Sequence, residues 1–154
     1  MGEKKHSINL VFTLALLGIF ALSALFVAVL GAQVYGRTAE NMDNNFNVRT
    51  SLVYITEKIR QCPDKDIDIR EVNGNPALVL SQNIKGQNYE TWIFSAKGSL
   101  REVLVSAGDN VLETDGQEVM DINSFNLDLK GDLLQISVFD NTGDKSAVTV
   151  SIKN

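Results

Sequence analysis

At 154 residues, 44% hydrophobic and 21% charged, the chain has room for one small folded domain beside a membrane segment, and too little for two. Its 14 basic and 19 acidic residues give a formal net charge of −5. That surface repels phosphate backbones, which argues against direct nucleic-acid binding. A single cysteine, Cys62, allows no internal disulfide, so stability must come from the core.

Residues 1–7 read as a short cytoplasmic tail carrying Lys4 and Lys5. The run from Ile8 to Ala32 contains no charge. A helix crosses a bilayer core with roughly 20 apolar residues, so 8–32 is expected to be a transmembrane helix. Lys4 and Lys5 precede it, whereas Arg37, Glu40 and Asp43 follow without positive excess. The expected orientation puts the N-terminus in the cytoplasm and the domain outside. A cleaved signal peptide is the alternative, but its apolar region spans roughly 7–15 residues before an A-x-A-like site. Leu30-Gly31-Ala32 fits that site poorly. The part beyond the span keeps 12 of the 14 basic and 18 of the 19 acidic residues, which disfavours docking on anionic lipid.

Residues 33–62 predict an amphipathic extension of the same helix. Met42, Phe46, Val48, Leu52, Val53, Ile55 and Ile59 fall on one half of a helical wheel, and Glu40, Asp43, Asn47, Ser51 and Lys58 on the other. The first set is expected to be buried. Cys62-Pro63 is the stop signal, because proline disfavours helix in the residue before it. An unbroken helix from Ile8 to Gln61 would run roughly 80 Å. Gly31 and Gly36, each about 1 kcal/mol worse than alanine, mark the place for a local break. Arg49 sits inside the apolar stripe. Either its stem packs while its head reaches the edge, or it pairs with a carboxylate of the β domain or of a neighbouring subunit. Phe46, Arg49, Leu52 and Ile59 are therefore the candidate helix–sheet or subunit contacts. Cys62 reads as a small buried residue at the helix end, with pairing to another chain as the alternative.

From 63 to 154 the period changes to two. Ile67 and Ile69 alternate with acids, Asn73-Gly74-Asn75-Pro76 turns, and Ala77–Leu80 returns as the second arm of a hairpin. Lys85-Gly86 and Lys97-Gly98 turn into and out of the strand Tyr89–Ala96, and Leu100–Val105 follows. Ser106 to Glu118 reads as a loose acidic surface loop. Phe125, Leu127 and Leu129, then Leu134, Ile136 and Val138, then Val148, Val150 and Ile152 alternate with polar residues, which predicts a three-stranded antiparallel meander with one apolar face. Such a sheet needs a cover, and the helix from Tyr35 to Gln61 is the available one. The expected class is α+β: a long N-terminal helix packed on an antiparallel β domain.

The chemistry-bearing residues point away from catalysis, metals and cofactors. His6 is the only histidine and lies across the membrane from the domain, so no Ser/His or Cys/His system can assemble outside. Asp64-Lys65-Asp66-Ile67-Asp68 opens like a calcium loop, but its sixth and twelfth positions are Ile69 and Asn75 rather than Gly and Glu. Asp140–Asp144 offers oxygens, yet reads as a hairpin turn. Trp92 and Phe94 share a strand face opposite Tyr89; a binding platform is conceivable there, and core packing is the ordinary fate.

The architecture resembles the type IV pilin and pseudopilin superfamily, in particular minor pseudopilins of competence and type II secretion systems, as a single-pass family of monoderm bacteria. Phe12-Thr13-Leu14 is similar to a mature pilin start, with Lys4-Lys5 as the basic leader. Arg49-Thr50-Ser51-Leu52 through Glu57-Lys58-Ile59-Arg60-Gln61 is similar to the helix end of the minor pseudopilins, and Met120 to Lys153 to their C-terminal sheet. The resemblance implies a non-enzymatic subunit of an envelope filament, secretion or DNA-uptake apparatus. Its partners would be membrane lipid and other pilin-like subunits or envelope proteins, met through the transmembrane helix at small residues such as Gly18, Ala21, Ala24 and Ala28. The processing region Val11, Phe12 and Leu16 departs from the family pattern. Val11 stands where the prepilin peptidase expects Gly, and Leu16 where most pilins carry a Glu that pairs with a neighbour's new amino terminus. An intramembrane charge persists only when paired, so losing both is self-consistent, and the leader is expected to stay uncleaved or to be cleaved inefficiently. The alternative is a permanently anchored extracytoplasmic binding or adaptor module.

Overall fold

The computed structural model describes residues 3–62 and 66–152, with side chains from Leu10 onward. Pro63, Asp64 and Lys65, hence the stop-signal proline and the start of the D-x-D-x-D run, lie outside the described residues. So do Met1, Gly2, Lys153 and Asn154, and the side chains of Lys4, Lys5 and His6. One helix, α1 (Glu3–Gln61), precedes eight strands: β1 (Asp66–Val72), β2 (Asn75–Ile84), β3 (Gln87–Ala96), β4 (Ser99–Ser106), β5 (Gln117–Asp121), β6 (Ser124–Lys130), β7 (Leu133–Phe139) and β8 (Lys145–Ser151). The class is α+β. The chain divides into two compact units, Met1–Met42 and Asp43–Asn154.

Among the described residues the first unit is helix alone. From Leu10 to Met42 every side chain is exposed, Val11, Phe12 and Leu16 among them. So large an uncovered apolar surface marks a membrane or a partner. The backbone stays helical through Gly31 and Gly36, so of the two alternatives, unbroken or locally broken there, the helix is unbroken. Two of its hydroxyls bond back to the helix: Ser23 Oγ donates to the Phe20 carbonyl at 2.8 Å and Thr38 Oγ1 to that of Val34 at 2.9 Å.

In the second unit the strands form two antiparallel meanders, a five-stranded sheet in the order β1-β2-β3-β4-β5 and a three-stranded sheet β6-β7-β8. Three tight hairpins set the first sheet's register. Asn73-Gly74, Lys85-Gly86 and Lys97-Gly98 all have positive φ at both positions, the twist that two-residue hairpin loops need. The main core joins α1 to both sheets: Val48, Leu52, Ile55 and Ile59 pack with Leu78, Leu80, Ile93, Leu100, Phe125, Leu134, Ile136 and Val138. In β7 the alternating Leu134, Ile136 and Val138 are fully buried, and Ser137 between the last two is buried as well.

One expectation is corrected here. The buried face of the helix is rotated relative to the apolar half-wheel. Met42, Phe46 and Val53 are exposed, as is Arg49, while Ser51 is fully buried and Asn47 half-buried. Serine is small enough for the strands to come close, and its Oγ is satisfied by the Asn47 carbonyl at 2.8 Å. The stretch after β4 is the surface loop expected, mostly exposed, but it is pinned at one point and ends earlier, at β5. Val111 is buried with Val72, Ala77, Val79, Trp92, Phe94 and Ala96 in a second core on the sheet's other face. Arg101 Nη1 holds the Gly116 carbonyl at 3.3 Å, and β5 begins one residue later. The outer face of the sheet carries aromatic bulk that water would otherwise reach, so the loop is drawn onto it.

Candidate functional site

The end of α1 in the second unit has two differently used faces. On the sheet side, Glu102 of β4 receives two donors from one turn of helix. Tyr54 Oη donates to its Oε2, and Lys58 Nζ lies 2.7 Å from its Oε1. Lys58 Nζ also lies 5.2 Å from the centre of the Tyr54 ring. Burial, then the hydrogen bond to Glu102, pushes the Tyr54 hydroxyl above its ordinary range. Burial works against the Lys58 charge, but Glu102 outweighs it and raises the ammonium. This trio clamps helix to sheet. The i, i+4 spacing of Tyr54 and Lys58 is legible in the sequence; the acid 44 residues beyond Lys58 is not.

Phe46, Arg49 and Val53 project from the other side. Their spacing of three and then four residues puts them on one face, and the two apolar members are 67% and 62% exposed. Arg49 has no ion pair among the described residues. Of the candidate contacts, Leu52 and Ile59 lie in the helix–sheet core, whereas Phe46 and Arg49 do not and belong to this open face. Lateral contact with another molecule is what such a face can offer chemically.

A second feature lies on the outer face of the five-stranded sheet. Arg70 of β1 grips the buried Glu90 of β3 at two points, Nη1 to Oε2 at 3.0 Å and Nη2 to Oε1 at 3.1 Å. Its Nε donates to Asp68 at 2.9 Å, and its guanidinium lies 5.3 Å from the Trp92 ring centre. Trp92 Nε1 donates to the same Glu90 at 3.1 Å. The bonds to Glu90 and then Asp68 raise the guanidinium still further. Trp92 and Phe94 are thus core under a polar lid, not an open platform, and Tyr89 is half-buried on the opposite face. Beside the lid runs a groove of about 520 Å³ bordered by Asp66, Asp68, Ser81, Asn83 and Asn88. Asn83 Nδ2 donates to Asn88 Oδ1 at 2.6 Å along it. Sequence reasoning missed the Arg70–Glu90 pair because its partners come from strands separated by β2.

Two further candidates are absorbed by local structure. Asp140 Oδ1 accepts from the Thr142 hydroxyl at 2.7 Å and from the Thr142 and Asp144 amides at 2.8 Å each. The hydroxyl bond, then these amides, holds the carboxyl below its usual range, and the turn itself uses the oxygens. Among the described residues no three His, Cys, Asp or Glu side chains converge as a metal site. Cys62 is buried and donates its thiol to the Ser81 carbonyl at 3.5 Å.

One helix long and apolar enough to cross a membrane, joined to an α+β unit, is compatible with a single-pass membrane protein. A family model described as Domain of unknown function (DUF4860) matches residues 46–141, more than half of the chain, and the chain belongs to that family. The match starts at Phe46 and ends just past β7, so it takes in the two-faced helix end and most of the strands but not the apolar run. No curated protein and no solved structure matches the chain.

Proposed function

We propose that this chain is a non-enzymatic, membrane-anchored structural subunit of the pilin-like kind, with its N-terminus in the cytoplasm and its β unit outside. The observation that carries the reading is the open face of Phe46, Arg49 and Val53 on a helix whose opposite side is already committed to the sheets. A helix serving one domain alone keeps its apolar residues on the buried face. A second apolar face supports a second partner, and a chain tethered by its own apolar run meets partners laterally. Other single-pass helices of pilin-like proteins fit that description, with small residues such as Gly18 and Ala21 easing close approach in lipid. Crosslinking from Phe46 and from the span in cells tests it. Adducts with pilin-like proteins support the reading, and a monodisperse monomer without such neighbours counts against it.

A second reading, a permanently anchored extracytoplasmic binding or adaptor module, is favoured by Val11 and Leu16. Mass spectrometry of the mature N-terminus separates the two in part. A methylated Phe12 start establishes pilin-type processing, and an intact leader leaves Val11 as a block to cleavage.

A further inference from the structure

We propose that the open face of Phe46, Arg49 and Val53 takes a helix from a different membrane-tethered chain, one whose apolar seam carries an Asp or Glu opposite Arg49. This rests on the reading of that face as an interface, and it names the partner's chemistry. Phe46 and Val53 stand seven residues apart with Arg49 between them, at spacings of three and then four. In the sequence the same beat runs back through Met42, Ala39 and Tyr35, while the charged Arg37, Glu40 and Asp43 fall off it. Apolar residues at alternating spacings of three and four make the seam along which one helix packs on another. The next position after Val53 is Thr56, which is buried, so the open seam ends there.

Arg49 is the one charged residue on this beat from Tyr35 to Val53. Among the described residues it has no ion pair. Val48, Leu52 and Ile55, which pack into the core, hold the β unit to the opposite side of the helix. A helix laid on Phe46 and Val53 covers Arg49 as well, and a covered charge needs a counterion. The acids of the same helix do not supply one. Asp43 lies about 9 Å away along the axis and Glu57 about 12 Å, and Glu57 already holds Arg60 at 2.8 Å. The carboxylate therefore comes with the incoming helix.

A second copy does not bring it. Two copies crossing one bilayer by the same apolar run stand level, with their helices pointing the same way. Their seams would then set Arg49 against Arg49. A like charge at a seam position turns self-pairing away and selects a partner of opposite sign, as coiled coils choose their partners. A carboxylate at the matching position meets the flat guanidinium at two points, which fixes the level of the two helices as well as their identity.

The test uses the full chain in native membranes, with Trp92 fluorescence of each purified variant as the check of folding. Arg49→Lys keeps the charge and supplies an amine, which a carbodiimide joins without a spacer to a carboxylate touching it. The expected product is absent from the wild type. Its mass spectrum joins position 49 to an Asp or Glu of a different chain, with apolar residues three or four positions to either side. In parallel, a photoreactive side chain at position 46 is combined with each variant. Arg49→Glu should cut the position-46 adduct at least about tenfold, and Arg49→Lys should keep most of it. An adduct undiminished by Arg49→Glu overturns the proposal and leaves the interface standing. So does a position-49 link to a second copy or within one chain, or no link in protein that gives the position-46 adduct. No position-46 adduct with Arg49 intact overturns the interface reading, and this proposal with it.

Discussion

Arg70 and Glu90 meet across β2 in a two-point ion pair, and the same carboxylate receives the indole N–H of Trp92. Glu90 is nearly inaccessible, while Arg70 is partly open to solvent. Removing Arg70 leaves a buried carboxylate without its counterion, a strongly destabilising change when the site is sealed. Solvent at the Arg70 end reduces that penalty, so Arg70→Ala is expected to lower stability by about 2–3 kcal/mol. Trp92 is the chain's only tryptophan, so denaturation followed by its fluorescence reads the effect directly.

The rotation of the helix gives a contrast in stability. Ile55 is fully buried, and Ile55→Ala should cost roughly 2–5 kcal/mol. Phe46→Ala and Val53→Ala, on the open face, should stay within about 0.5 kcal/mol in the isolated protein. Urea denaturation in detergent of all three variants checks the assignment.

Gly116 and Gly108 both have positive φ, but their surroundings differ. A Cβ on Gly116 would come 2.5 Å from the Glu102 carbonyl oxygen, whereas none lies within 4 Å at Gly108. Gly108→Ala should therefore cost about 1–2 kcal/mol for the backbone alone. Gly116→Ala should cost roughly 2–4 kcal/mol, because the loop must also shift off β4. Thermal melts of the two variants separate strain from clash.

The pH dependence follows from two clusters with opposite signs. Tyr54 and Lys58 titrate above their unfolded values, so their contribution is complete below about pH 10 and is lost as pH rises through the folded values. Asp140 titrates below its unfolded value, so its contribution is present above about pH 4 and disappears as pH falls through the folded one. Glu102→Gln should shrink the alkaline loss and leave the acid limb in place, and Asp140→Asn should do the reverse. Unfolding midpoints across the pH range are the measurement.

Much of the fold is legible in the residues. Period-two alternation places Leu134, Ile136 and Val138 inward, and Lys-Gly and Asn-Gly pairs mark the hairpins. What is hidden has physical reasons. α1 carries two apolar stripes whose union fills half a wheel, and no hydrophobic scale ranks Ser51 as its deepest residue together with Ile55. Val111 and Leu112 stand together amid Gly, Asp and Asn, and nothing in the pattern tells that Val111 packs with Trp92 and Phe94 while Leu112 stays exposed. The Glu102 clamp and the Arg70–Glu90 lid join segments far apart in sequence, which periodicity does not report.

The claim at the centre of this account is that the Phe46–Val53 face is an interface. A photoreactive side chain at position 46 of the full-length protein in native membranes, compared with one at the hairpin turn of Lys85, tests it most directly. The account expects a discrete adduct from position 46 with another single-pass, pilin-like chain and only background from position 85. Equal labelling at the two positions, or none at 46 in folded protein, contradicts it.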